Sequence, residues 1–134
     1  MNQITTQYVT EGGACYEQYV ITDPAAKTAL TITPERGGMI TGFTLDGDEY
    51  IWTRRPNFSE CNRPRFGVPV LFPSCGNPDG GVHLFDGKAY PMECHGFADL
   101  CAWEVESVGP DGVTLILEST PLTKFLYPFD FTLL

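Results

Sequence analysis

The stretch Met92 to Ala98 reads MECHGFA and holds one of only two histidines in the chain, His95, between an apolar segment and a Gly-Phe pair. An imidazole ordinarily titrates near about pH 6.5, which suits it both to hydrogen-bond donation and to proton transfer. At the end of a strand begun after Asp86-Gly87, His95 can leave the sheet and face a cleft, and Gly96 permits tight approach. The plainer reading, a core histidine with its hydrogen bonds satisfied, stays open on spacing alone. A zinc reading that joins His95 to Cys94 finds only His83 as another imidazole. The five cysteines (Cys15, Cys61, Cys75, Cys94, Cys101) are odd in number and form no CxxC pair, so they read as free thiols that pack as small hydrophobes. No metal is expected.

Two neighbouring stretches offer partners for such a histidine. Arg54, Arg55, Arg63 and Arg65 fall close together in an otherwise acidic chain. They read either as a solvated loop balancing nearby acids or as a pocket wall giving planar, bidentate hydrogen bonds to an oxygen-rich ligand. RFGVPVLFPSCGNPDGG, residues 65 to 81, combines an apolar strand from Val68 to Phe72 with a loop of glycines and prolines, either a plain turn or the rim of a site.

The elements that must carry these groups read as strands. Asp-Gly turn signals lie in TLDGDEYIW (44 to 52), HLFDGKAYPM (83 to 92) and WEVESVGPDGVTLILE (103 to 118), and DPAA separates YEQYVIT (16 to 22) from KTALTIT (27 to 33). Leu30 and Ile32, then Val113, Leu115 and Leu117, alternate with period two, and no stretch of helical length shows an apolar face at 3.6 spacing. One all-β domain over residues 1 to 134 is expected, an antiparallel sandwich or barrel. LYPFDFTLL (126 to 134) reads as a strand with Phe129, Phe131 and Leu133 on one face, and the chain then stops. An apolar edge strand invites pairing, so the chain is expected to be truncated or to complete its sheet with a second subunit, as a homodimer through this C-terminal edge.

A net charge of -9 works against nucleic acid and anionic lipid as partners. No apolar run is long enough to span a membrane, and MNQITTQYVTEGG has neither a basic n-region nor an apolar h-region, so a cytoplasmic location is expected.

Taken in order, PERGG (34 to 38), FGVPVLFPSCGN (66 to 77), FDGKAY (85 to 90), HGFA (95 to 98), Trp103 and YPFDF (127 to 131) resemble the aldose 1-epimerase (galactose mutarotase-like) family, collinearly from Thr28 to Leu134. The resemblance implies an antiparallel β-sandwich of the galactose-mutarotase type, of which this chain is the N-terminal part, with a small-molecule sugar as partner and no cofactor. It further implies interconversion of the α and β anomers of an aldose. A carboxylate takes the proton of the C1 hydroxyl, an imidazole protonates the ring oxygen, and the opened chain rotates and recloses. His95 then matches the first imidazole, which supports charge developing near the ring oxygen, and Arg65, Asn77, Gly96 and Phe97 bind the sugar. The second histidine and the glutamate base come later in the family, and this sequence has no histidine after His95. Asn77 and Asp99 stand where relatives often carry arginine, while the arginine of the phosphate-sugar branch is retained as Arg65, so a hexose phosphate stays open and a neutral aldose fits slightly better. Two alternatives remain: a non-catalytic carbohydrate-binding module using the faces of Tyr50, Trp52 and Trp103, and a degenerate fragment that dimerises through Phe129, Phe131 and Leu133.

Overall fold

The computed structural model of the protein describes residues 1–52 and 66–134. Its first five strands form one antiparallel sheet in sequence order: β1 (Gln3–Glu11), β2 (Ala14–Asp23), β3 (Thr28–Thr33), β4 (Met39–Leu45) and β5 (Asp48–Glu49). Local turn chemistry sets this order. Gly12 and Gly13 (φ 57° and 81°) and Asp46 and Gly47 (53° and 92°) take the paired positive φ that matches a two-residue hairpin to the twist of its strands. Between β2 and β3, the Asp23 carboxylate accepts from the N–H groups of Ala25 and Ala26 at 2.9 and 3.3 Å. The β1–β2 hairpin was not anticipated, although the Gly-Gly pair between two alternating segments is its signal.

The two faces of this sheet differ in chemistry. Ile4, Ile21, Leu30 and Phe43 are direct cross-strand neighbours and make an apolar stripe across four strands. On the opposite face Gln18, 4% exposed, donates to the Thr33 hydroxyl at 2.9 Å and the Thr41 hydroxyl at 3.4 Å, and accepts from Gln7 at 2.9 Å. The register of β3 against β4 skips Thr41, a bulge that brings its hydroxyl within 3.1 Å of that of Thr33. Replacing Gln18 by alanine removes the buried amide that bonds both hydroxyls and leaves a void among polar groups, so a loss of about 1–3 kcal/mol is expected in urea unfolding, with a smaller loss for Gln7→Ala at the exposed end. Equal losses would show that the network is not what holds this face.

The remaining strands form two smaller antiparallel sheets: β6 (Val82–Phe85) with β7 (Lys88–Pro91), and β8 (Glu104–Val108), β9 (Val113–Glu118) and β10 (Thr132–Leu133), with β9 central. Asp86 and Gly87 turn the first hairpin with φ of 49° and 73°, whereas Asp111-Gly112 lies in a longer loop closed by Gly109 N–H on the Gly112 carbonyl at 2.9 Å. Single 3-10 turns lie at Asp79–Gly81, Ala98–Leu100 and Thr123–Phe125, and no α-helix occurs among the described residues. No helix there is long and apolar enough to cross a membrane.

Two expected strands are shorter than read. Residues 68 to 72 contribute only isolated bridges, Val68 to Ile40 and Phe72 to Gly96, because Pro69 has no N–H to continue a ladder. Of residues 126 to 134 only Thr132 and Leu133 pair, against β9. Pro128 again interrupts, and Tyr127, Phe129 and Phe131 instead build an aromatic cluster with Phe72 and Phe85, at ring separations of 4.9 to 5.7 Å for the closest pairs. Phe131 and Leu133 pack inward against Ala98, Trp103 and Leu117, and Phe129 stays 46% exposed.

The PERGG turn is explained by close packing. A Cβ on Gly37 would stand 2.4 Å from the Asp99 carbonyl oxygen, and one on Gly38 would meet the Trp103 ring at 3.0 Å. Gly37 N–H donates to the Cys101 carbonyl and Trp103 N–H to that of Pro34, each at 3.1 Å, which ties the first sheet to the segment following His95.

Candidate functional site

The site is built where two loops are laced together. The Phe72 carbonyl accepts from the N–H groups of Phe97 and Ala98 at 2.8 and 3.2 Å, and Gly96 N–H donates to the Glu93 carbonyl at 3.1 Å. Gly96 passes so close to Phe72 that a Cβ would lie 2.1 Å from the carbonyl oxygen. The glycine is therefore required by backbone against backbone, and its approach serves Phe72 rather than a ligand.

His95 does not end the strand as expected. It stands beyond Pro91, the last residue of β7, in a turn where it takes φ 72°, a left-handed conformation that histidine tolerates better than most residues. Its N–H donates to the Gly76 carbonyl at 3.1 Å and its Nδ1 lies 3.0 Å from the Cys75 carbonyl oxygen. The ring is half-buried, and Nε2 has no hydrogen-bond partner among the described residues. A packed core histidine, the plainer reading, is thus not what the fold makes of it.

Beside this turn lies a cleft of about 630 Å³, walled in part by Asn77, Met92, Glu93, Gly96, Phe97 and Leu126. Three of the expected sugar-binding residues, Asn77, Gly96 and Phe97, therefore meet at one cleft, while the His95 ring is turned to the 75–76 segment and is not part of its lining. Asn77 is exposed and offers an amide; Phe97 is 5% exposed and packs edge-on to Phe72 at 6.0 Å, so it forms the floor more than a contact surface. Arg65, like Arg54, Arg55, Cys61 and Arg63, lies outside the described residues. Sequence reading missed the Cys75 and Gly76 carbonyls, which no side-chain type announces, and Glu93, whose carboxyl-bearing position in MECHGFA was visible.

Other expectations change with burial. Trp103 is 6% exposed, with its indole N–H on the Ala98 carbonyl at 3.0 Å, so it packs as a core residue. Tyr50 and Trp52 remain open at 62% and 66%. Asp99 is buried within the turn Ala98–Leu100. Burial, and secondarily the Asp99 charge, raises the Cys101 thiol above its ordinary pKa. At pH 8 Cys101 therefore holds less thiolate than an ordinary cysteine, and mass-resolved alkylation is expected to label the exposed Cys15 and Cys75 well before it. Simultaneous labelling in the folded state would contradict this. No group of three or more His, Cys, Asp or Glu positioned for a metal ion occurs among the described residues.

No protein-family model matches the sequence, and no curated protein matches it. Solved structures do. The crystal structure of the Slr1438 protein from Synechocystis sp. PCC 6803 superposes with a TM-score of 0.81 at 28% identity, covering 98% of this chain and 45% of that one. A galactose mutarotase related enzyme from Lactobacillus acidophilus gives 0.65 at 22% identity, covering 96% of this chain and 37% of that one. A galactose mutarotase-like protein from Lactobacillus casei ATCC 334 gives 0.61 at 23%, covering 97% and 37%. The chain thus spans less than half the length of each of these structures.

Proposed function

We propose, from a chain that matches galactose mutarotase-like structures over nearly its whole length and under half of theirs, that it supplies one side of the site of an aldose 1-epimerase-like isomerase acting on a neutral aldose. The observation that carries this reading is the half-buried His95 ring, held by the Cys75 carbonyl at 3.0 Å with Nε2 unoccupied by any described residue, in a turn whose flanking residues Cys94 and Gly96 line a cleft together with Asn77 and Glu93. An imidazole so placed can bind a sugar oxygen and stabilise charge that develops on the ring oxygen as the C1–O bond to it breaks.

Anomer exchange needs an acid and a base on opposite sides of the sugar. The resemblance gives these roles to a second histidine and a later glutamate, and this sequence has no histidine after His95. The 134-residue chain alone is therefore expected to leave the mutarotation of freshly dissolved α-D-glucose or α-D-galactose, followed by polarimetry, at the rate of buffer. Acceleration well above buffer that disappears in His95→Ala would overturn the view that groups beyond this chain complete the reaction.

A carbohydrate-binding module is the second reading, favoured by the exposed Tyr50 and Trp52, which lie two residues apart at the end of β5. Saturable sugar binding that quenches Trp52 fluorescence and survives His95→Asn would support it.

A further inference from the structure

We infer that the apolar groove between the two larger sheets is the contact surface for a second copy of this chain, in a two-fold dimer. The inference does not depend on a sugar at the cleft beside His95.

The groove, about 540 Å³, takes Ile32 and Ile40 from the first sheet and Leu115 and Leu133 from the β8–β9–β10 sheet, and Val70 adds to its lining. No charged side chain lines it among the described residues, although the chain carries a net charge of -9. Two copies can therefore meet there without bringing like charges into contact, which elsewhere on so acidic a surface would oppose association. The groove also continues into a wider face. Leu30 stands two residues before Ile32 and shares its side of β3, so the stripe of Ile4, Ile21, Leu30 and Phe43 extends the groove across the first sheet. All four stripe residues are only half-buried.

Self-complementarity points to a copy rather than to a different protein. Leu134 and Leu71, 76% and 38% exposed, stand on the lining as apolar knobs beside the hollow, so each copy offers the knob and the hole that a two-fold contact exchanges. β10 is the outermost strand of its sheet, and the outer edge of Thr132–Leu133 has no partner among the described residues. Two such edges pair antiparallel about a two-fold axis and extend one sheet through both copies. The contact expected from the sequence through Phe129 and Phe131 moves accordingly: Phe131 is occupied in the core, and Leu71 and Leu134 take its place.

The surface area agrees. The chain exposes 8128 Å², against about 7,000 Å² for a folded monomer of its 14.8 kDa mass. The excess of roughly 1,100 Å² is more than the roughly 800 Å² that each partner covers in an interface of standard size.

Sedimentation velocity of the 134-residue chain at micromolar concentrations tests this. A dimer is expected, weakened at least about tenfold by Leu134→Glu and by Leu71→Glu, since each places a carboxylate in an apolar contact. Both variants are expected to keep the far-UV circular dichroism of the parent, and Leu134→Glu decides alone should Leu71→Glu lose it. Leu122→Glu, at a position 77% exposed and outside the groove, leaves the dimer unchanged. Added salt tightens the parent dimer by screening the repulsion between two acidic copies. A monomer throughout, a dimer indifferent to the substituted leucines of the groove, or an assembly larger than two overturns the inference.

Discussion

Gly96→Ala is expected to cost at least about 4 kcal/mol, enough to abolish a cooperative transition in a chain of ordinary stability. The added methyl carbon would fall 2.1 Å from the Phe72 carbonyl oxygen and 2.6 Å from the Pro73 nitrogen. Neither atom is the end of a flexible side chain, so the two loops must part. Parting them breaks the bonds from Phe97 and Ala98 to Phe72 that carry the turn. Gly87→Ala is the control: its φ of 73° is nearly the same as the 75° of Gly96, yet nothing lies within 4 Å of an added Cβ. Only the left-handed strain remains there, about 1–2 kcal/mol. Urea unfolding followed by circular dichroism separates the two, and losses of similar size would show that the contact between the loops is not what demands glycine at 96.

The largest functional effect is expected at His95. An asparagine keeps a side-chain N–H near the position of Nδ1 and accepts a left-handed φ, so His95→Asn is expected to retain the stability of the parent within about 0.5 kcal/mol. It has no counterpart of Nε2. Sugar affinity measured by calorimetry is accordingly expected to fall about tenfold or more, the equivalent of one lost hydrogen bond of about 1.4 kcal/mol. His95→Ala removes the anchor as well and places a β-carbon at φ 72° with nothing to hold it, so it loses affinity and about 1–3 kcal/mol of stability together. If Asn binds sugar as well as the parent does, Nε2 has no part in recognition.

How far the sequence revealed this can be judged residue by residue. The hairpins at Asp46-Gly47 and Asp86-Gly87 were legible because a two-residue turn with positive φ needs those residue types, and the paired strands on each side alternate. The strands assigned to 68–72 and 126–134 were not, because apolar content was read as a ladder where Pro69 and Pro128 withhold the donor a ladder needs. Those side chains went instead to an aromatic cluster joining segments far apart in the chain, a choice that only tertiary packing makes. His95, Asn77, Gly96 and Phe97 were named by type and motif, and the fold gives them different surroundings. Gly96 and Phe97 serve mainly to bring the loops together, and Asn77 and His95 retain free polar groups. Trp103 was misjudged because an indole looks the same in sequence whether it stacks on a ligand or, as here, donates to a backbone carbonyl inside the core. The carbonyls of Cys75 and Gly76 were invisible in principle, since every residue has one and only the fold decides which of them is aimed at an imidazole.

The crystal structure of the chain soaked with α-D-galactose tests the account at its centre. A sugar oxygen within hydrogen-bonding distance of His95 Nε2, about 2.7–3.2 Å, with Nδ1 still on the Cys75 carbonyl, is the expected result. A sugar stacked on Tyr50 and Trp52 with Nε2 left facing solvent would contradict it.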